Sequence, residues 1–242
     1  MKSLKEIKKP KIKPYVCTPA YDGNVTKDYA LALADTGMMM AAHGYPMQVG
    51  IMGNSAFIEI SRNTFVQMFL ETDCTHLFFV DADLHWEPRA FLGLLQSGFP
   101  VCAGLYRRRQ EPEDYPVKYV ESPEGGIQLV NGGWIRCERV PTGFLCIERY
   151  VIEEMANVAP KWKLHGQPDV PQVFYRDILP DGRFIGEDYK FCDDYREMYG
   201  DDIYVWPDFD FVHGGYKCNW HNFIMKQIEA AEKEEKEAAD GK

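Results

Sequence analysis

The 242-residue chain contains no apolar run approaching the ~18 residues that cross a bilayer, which excludes a membrane-spanning helix. The amino-terminal MKSLKEIKKPKIKP has lysines but no apolar stretch behind them, so it does not read as a secretory signal. There is no CxxC pair. The seven cysteines, Cys17, Cys74, Cys102, Cys137, Cys146, Cys192 and Cys218, are scattered, and some sit in apolar runs such as FPVCAGLY. An odd, unpatterned set of this kind suits buried thiols of a reducing compartment and argues against both a disulfide frame and a zinc site. The chain also lacks internal repeats and long Gly/Ser or Pro linkers. One domain over 14–225 is therefore expected, between a basic arm at 1–13 and a charged helix or tail at 226–242.

What is present supports a sizeable core: 45% hydrophobic residues, 14% of all residues being aromatic. The net charge of −10 argues against wholesale nucleic-acid coating, yet the charge is uneven. Residues 1–14 hold six lysines and one glutamate, Arg107, Arg108 and Arg109 form a basic triplet, and KQIEAAEKEEKEAADGK closes the chain as a solvated helix that frays.

KPYVCTPAYDG reads as a β-rich run that stops at a Pro/Gly loop. A helix is predicted over 27–42 with Tyr29, Leu31, Leu33 and the methionines as its apolar faces, then a strand at MQVGIM. Phe65/Phe69 and Val66/Leu70 fall at helical spacing within 56–72. LFFV is a short, wholly apolar run suited to a central strand, and it ends in Asp81-Ala82-Asp83. Pro88 opens the next helix, Gly98 closes it, and VCAGLY is another buried strand. Residues 115–140, with two glycine pairs, suit a hairpin excursion; PTGFLCI returns to the core and a helix follows through Met155. Residues 159–186, with four prolines and weak periodicity, read as a long functional loop, followed by a helix from Glu187 to Tyr199 and the strands IYVWP and FDFVH. Strands alternating with helices predict an α/β fold with an open, mostly parallel sheet whose ligands bind at the carboxyl ends of the strands. Asp81 and Asp83 stand at such an end.

Alternation along a strand puts the carboxylates of Asp81 and Asp83 on one side, where two hard oxygen donors suit Mg²⁺ or Mn²⁺ also held by phosphates. The alternative is a loop whose aspartates cap the next helix; the preceding apolar strand and the following proline favour the metal reading. Gly186-Glu187-Asp188 opens a helix, where acidic residues also belong for dipole reasons alone. His213 ends an apolar run before Gly214-Gly215, which lets backbone approach a ligand closely, although a lone histidine there also fits a loop or core position.

Taken in order, these motifs resemble those of glycosyltransferases of the GT-A fold over residues 14–225. TPAYDG matches a base-holding loop, Ser61-Arg62-Asn63 a helical Arg-Asn pair, FFVDADLHW the DxD strand end, Pro141-Thr142-Gly143-Phe144 a Thr-Gly step, GEDYKFC an acidic motif opening a helix, and FVHGG a late metal-binding histidine. The resemblance implies a Rossmann-like sheet flanked by helices and a nucleotide-diphosphate sugar donor, with UDP favoured. It implies Mn²⁺ or Mg²⁺ held by Asp83 and His213, with Asp81 contacting ribose, metal or both. Thr18, Pro19, Ala20, Tyr21, Asp22, Arg62, Ala82, Thr142 and Gly143 would bind the donor, Tyr21 and Asp22 flanking the base. Asp188 would be the general base of an inverting enzyme; in a retaining one, Glu187 and Asp188 would orient sugar or acceptor. Inversion is favoured.

Compact members of this kind occur in bacteria and bacteriophages, which implies a cytoplasmic location in the cell or the infected host. A known phage task is glycosylation of hydroxymethylated pyrimidines in DNA, for which the lysine arm and Arg107–Arg109 are candidate phosphate contacts. A polysaccharide or small-molecule acceptor stays open. Trp86, Trp134 and Trp220 are assigned to the core rather than to sugar stacking. Rival readings are a sugar nucleotidyltransferase, which would want a Gly-rich basic loop where TPAYDGNVTKDYA stands, and an inactive binding module, against which the joint presence of Asp81, Asp83, Asp188 and His213 argues. A metal phosphoesterase would want a denser His/Asp set than six dispersed histidines.

Overall fold

The computed structural model describes residues 12–123, 125–163 and 169–240. In chain order the elements are β1 (Pro14–Ala20), α1 (Lys27–Ala42), β2 (Gln48–Gly53), α2 (Ile58–Leu70), β3 (His76–Val80), β4 (Leu84–Trp86), α3 (Pro88–Leu95), β5 (Val101–Gly104), β6 (Lys118–Tyr119), β7 (Leu129–Val130) and β8 (Trp134–Arg139). They continue with β9 (Phe144–Glu148), α4 (Arg149–Val158), β10 (Lys161–Lys163), β11 (Asp169–Pro171), β12 (Asp177–Ile178), β13 (Phe184–Ile185), α5 (Glu187–Tyr199), β14 (Ile203–Trp206), β15 (Phe211–His213), β16 (Tyr216–Cys218) and α6 (Trp220–Asp240).

The central sheet has the order β2-β1-β3-β9-β5-β14-β8-β6, with β7 beside β8. β1 runs parallel to β2 and β3, and β5 parallel to β14, while β9 is inserted antiparallel between β3 and β5. Five principal strands thus point one way, and the antiparallel β6–β7–β8 excursion extends the edge as expected of 115–140. The inserted β9 has a consequence for function. Because it runs backwards, its first residues reach the same edge of the sheet as the last residues of β3.

Adjacent strand residues face opposite sides of a sheet. Phe78 stacks on Phe91 of α3 at 4.1 Å, whereas Phe79 meets Phe65 of α2 at 6.5 Å, so α3 and α2 cover opposite faces. In α1, Thr26 caps the amino terminus by accepting from the Tyr29 amide at 3.2 Å. The buried stripe of α1 is Tyr29, Ala32, Thr36 and Met40; Leu31 and Met38, expected on apolar faces, are exposed. Sheet contact is made by one stripe of a helix, and the small residues Ala32 and Thr36 lie on it while Leu31 is rotated away.

The long loop expected over 159–186 carries short strands in its described residues. β10–β11 and β12–β13 are antiparallel pairs, and between them Phe174 is fully buried, stacking on Phe191 at 4.7 Å. Asn63 pins this segment to α2: its side-chain amide donates to the Phe174 carbonyl at 2.7 Å and its oxygen accepts the Phe174 amide at 2.8 Å. The weak periodicity arises because the buried residues Val170, Val173, Phe174 and Ile185 recur at no fixed period.

Trp86 and Trp220 are core residues, their indole N–H groups donating to Thr36 at 2.9 Å and Tyr119 at 2.6 Å, and Trp134 packs edge-on against Trp206. All seven cysteines are buried and unpaired. Among the described residues no helix is long and apolar enough to cross a membrane. Of the basic arm, residues 1–11 lie outside the described residues; Lys13 pairs with Asp73.

Candidate functional site

The ends of β1, β3 and β5 and the start of β9 meet at one edge of the sheet, and the amino terminus of α5 joins them. Asp81 follows β3 directly, and its amide donates to the Gly143 carbonyl at 2.9 Å, a contact that exists because β9 is antiparallel to β3. Residues 81–83 form a turn closed by the Leu84 amide on the Asp81 carbonyl at 3.2 Å. The strand alternation expected to align the two carboxylates therefore does not apply, and they take different partners. The carboxylate of Asp81 accepts from the Tyr106 hydroxyl at 3.1 Å and lies 3.7 Å from a terminal nitrogen of Arg62. Asp83 faces Arg109 and His213. Between them, the Ala82 carbonyl accepts the Thr26 amide at 2.9 Å, tying the turn to the cap of α1.

His213 reaches this edge through a second sheet of order β16-β15-β4, in which it pairs with Leu84. The Gly214 amide then donates to the Asp83 carbonyl at 3.1 Å. His213 Nδ1 lies 2.7 Å from the Arg107 carbonyl, which can only accept, so Nδ1 carries the proton and Nε2 faces Asp83 Oδ1 at 3.5 Å. Burial disfavours the imidazolium, but the contacts with Asp83 and the Arg107 carbonyl outweigh it and raise the His213 pKa; the His213 contact in turn lowers that of Asp83 against burial.

This pair fits a divalent ion. A separation of 3.5 Å is shorter than two ligand bonds of about 2.1 Å each, so one ion can lie within bonding distance of both atoms. The fixed Nδ1–H is the outer hydrogen bond that orients a ligating histidine. Among the described residues no group of three or more His, Cys, Asp or Glu is placed to hold an ion. Asp83 and His213 are thus the two candidate ligands among the described residues, and Asp81 is turned to Arg62 and Tyr106. An ion with so few protein ligands takes the remainder from water and phosphate, the usual habit of Mg²⁺-type sites.

Arg62 is 3% exposed and its guanidinium lies 5.1 Å over the Phe79 ring. Nε donates to Glu187 at 3.3 Å, whereas Nη1 is buried without a hydrogen-bond partner among the described residues. Thr142 Oγ1, also buried, has none either. Unsatisfied buried donors cost free energy unless something binds them, so a cation with a spare N–H beside this edge suits an oxygen-rich anionic ligand.

The carboxyl of Asp188 is half-buried and its oxygen accepts the Tyr189 amide at 2.8 Å. Burial and the neighbouring Glu187 charge raise its pKa above the ordinary 3.8, against the Tyr189 amide and Arg62. A carboxylate made more basic in this way suits proton abstraction. Pro19, Ala20 and Tyr21 line a cleft of about 350 Å³ together with Phe57, Arg176 and Glu187, so the first-strand loop and the α5 terminus do share one cavity. Tyr21 is 78% exposed at its rim. Thr18 does not join it: it is buried and bonded to the Tyr29 hydroxyl at 2.6 Å. Asp22 is exposed and accepts the Asn24 amide at 3.0 Å within its own turn.

Tyr106 escaped the sequence reading, and Arg109 entered it only as one of the basic triplet. Tyr106 accepts the Gly143 amide at 2.9 Å while donating to Asp81, and Arg109 holds Asp83. VCAGLY signalled only a buried strand, and a hydroxyl at its end carries no motif. The arginines of the triplet take separate partners: Arg107 is buried and paired with Glu111, Arg108 pairs with Asp114, and Arg109 with Asp83. Gly143 admits no side chain, since a Cβ would lie 2.1 Å from both Asp81 Oδ2 and the Tyr106 oxygen. Gly143→Ala is expected to separate that pair at a stability cost of about 1–3 kcal/mol, the range of an overpacked site. An unchanged urea midpoint would show that the edge is looser than this geometry.

No protein-family model and no curated protein matches the chain. Solved structures do. A197 from STIV is 16% identical, covering 84% of this chain and 85% of that one at a TM-score of 0.50. GalNAc-T7, solved with UDP, GalNAc and Mn²⁺, is 11% identical over 84% of this chain and 44% of that one, with a TM-score of 0.47. The inositol-1-phosphate CTP transferase from T. maritima is 10% identical over 81% and 86%, with a TM-score of 0.39. The chain therefore has an α/β fold shared with A197, a largely parallel central sheet flanked by helices and extended by antiparallel hairpins, as the motif order implied.

Proposed function

We propose that the protein is a divalent-metal-dependent glycosyltransferase that moves a sugar from a nucleotide diphosphate, UDP by preference, to an acceptor hydroxyl with inversion. The observation that carries this reading is the 3.5 Å approach of His213 Nε2 to Asp83 Oδ1 at the edge where Asp188 and the unsatisfied Arg62 also lie. Mn²⁺ or Mg²⁺ on Asp83 and His213 would supply Lewis-acid neutralisation of the departing diphosphate. Arg62 holds donor oxygens, with Thr142 and Gly143 beside it, and Asp81 positions Arg62 and Tyr106. Pro19, Ala20 and Tyr21 bound the cavity assigned to the base. Asp188 takes the acceptor proton as the oxygen attacks the anomeric carbon, and Glu187 keeps Arg62 in place.

For the acceptor we favour a glycan or small-molecule hydroxyl. The arginines of the triplet face different partners, Arg107 being buried beside Glu111, Arg108 paired with Asp114 and Arg109 with Asp83, so they do not present the single solvent-facing row that would favour modified DNA.

A thermal-shift panel of nucleotide sugars tests the proposal. UDP-sugars are expected to raise the melting temperature with Mn²⁺ and not without it; saturation at about 100 Kd corresponds to about 2.7 kcal/mol. Stabilisation by a free nucleoside triphosphate, and by no nucleotide sugar, would replace glycosyl transfer with nucleotidyl transfer.

A further inference from the structure

The inference that follows rests on the reading of Asp83 and His213 as metal ligands. Arg109 Nη1 lies 2.7 Å from Asp83 Oδ2, while His213 Nε2 faces Oδ1 at 3.5 Å, so the carboxylate already has a resident cation on the oxygen turned away from the histidine. The contact has a shaped seat. Gly214 has φ +55°, and a Cβ there would come within 2.4 Å of Arg109 Cδ, so the arginine stem crosses bare backbone beside His213. The same glycine is bonded to Asp83 through its amide. Arg109 nevertheless remains 60% exposed, on the segment between β5 and β6 that has no regular secondary structure. Arg107, by contrast, is buried beneath Tyr216.

A guanidinium and a divalent ion on one carboxylate repel each other, so an ion arriving alone must compete with Arg109. A diphosphate changes the balance. It brings at least two negative charges to the ion, and it offers the planar guanidinium a bidentate partner richer in oxygen than a single Asp. We propose that Arg109 is the resident counter-cation of Asp83, which yields the carboxylate to a divalent ion and moves onto the diphosphate that accompanies it. Arg109 then opposes metal binding on its own and favours metal binding with nucleotide, so the two ligands bind synergistically. No bond to carbon or phosphorus is made or broken in this exchange.

Mn²⁺ titrations followed by the electron paramagnetic resonance of the free ion test the proposal, with and without UDP. Arg109→Gln is expected to bind Mn²⁺ alone about two- to fivefold more tightly than wild type, the worth of a largely exposed ion pair. In the same variant, the tightening of Mn²⁺ by UDP is expected to shrink by at least that factor, and Arg109→Lys is expected to retain most of it. Mn²⁺ binding that is lost in Asp83→Asn but identical in wild type and Arg109→Gln, with equal UDP coupling, would overturn the role of Arg109 alone. Mn²⁺ binding indifferent to Asp83→Asn would overturn this inference together with the metal site beneath it. Arg109 is a surface residue, and a melting temperature within a few degrees of wild type confirms that each variant is folded.

Discussion

Replacing Asp188 by asparagine is expected to leave nucleotide-sugar binding intact and to slow transfer by about 10²–10⁴-fold, the usual worth of a positioned general base. The substitution is isosteric, and the asparagine oxygen can still accept the Tyr189 amide that Asp188 holds at 2.8 Å. What disappears is a partly desolvated negative charge beside Glu187. A raised carboxyl pKa means that the ionised form is disfavoured in the folded protein, so the wild type loses stability above that pKa. The loss is relieved as pH falls through it and is gone below the ordinary 3.8. The asparagine variant is therefore expected to melt at or above the wild-type temperature at pH 7, with the difference vanishing in acid. The same shift puts the acid limb of the wild-type transfer rate above pH 3.8, because a protonated Asp188 cannot accept the acceptor's proton. Single-turnover transfer and donor binding, measured on the same sample, check the claim. Transfer within a few-fold of wild type would exclude Asp188 as base and leave it, with Glu187, an orienting role.

The second large effect belongs to Asp83. Asp83→Asn removes the carboxylate proposed to hold the ion and is expected to lower Mn²⁺-dependent turnover by about 10³-fold or more, corresponding to several kcal/mol of lost charge neutralisation in the transition state. The fold should tolerate it. The side chain is partly exposed, and its ion pair with the exposed Arg109 contributes about 1 kcal/mol at most. A melt within a few degrees of wild type would accompany the loss of turnover. Full activity in metal-chelated buffer, in either protein, would remove the ion from the mechanism.

How much of this was legible in the sequence differs element by element. LFFV, VCAGLY and FLCI are short, wholly apolar runs, and each became a buried central strand. Gly186 and Gly200 bracket α5, Gly200 in the left-handed conformation at φ 63°, so both ends of that helix could be read from backbone chemistry. The two short strand pairs within 159–186 were not legible, because the order of the segment comes from Asn63, which is distant in sequence, and from the stacking of Phe174 on Phe191. Asp81 and Asp83 were found as residues, but their directions were misjudged, since alternation holds only while the chain stays extended and residues 81–83 turn.

Local chemistry along the chain therefore determined which segments are strands and helices and which residue types could hold an ion, a phosphate or a proton. Those properties depend on period, caps and ionisable groups within a few residues of one another. The tertiary structure alone decided which of them meet. The antiparallel insertion of β9 brings Gly143 to Asp81, the pairing of β15 with β4 brings His213 to Asp83, and the path of the β5–β6 segment lays Arg109 across Gly214. Contacts of that kind are set by sheet order and strand direction, which no local pattern encodes.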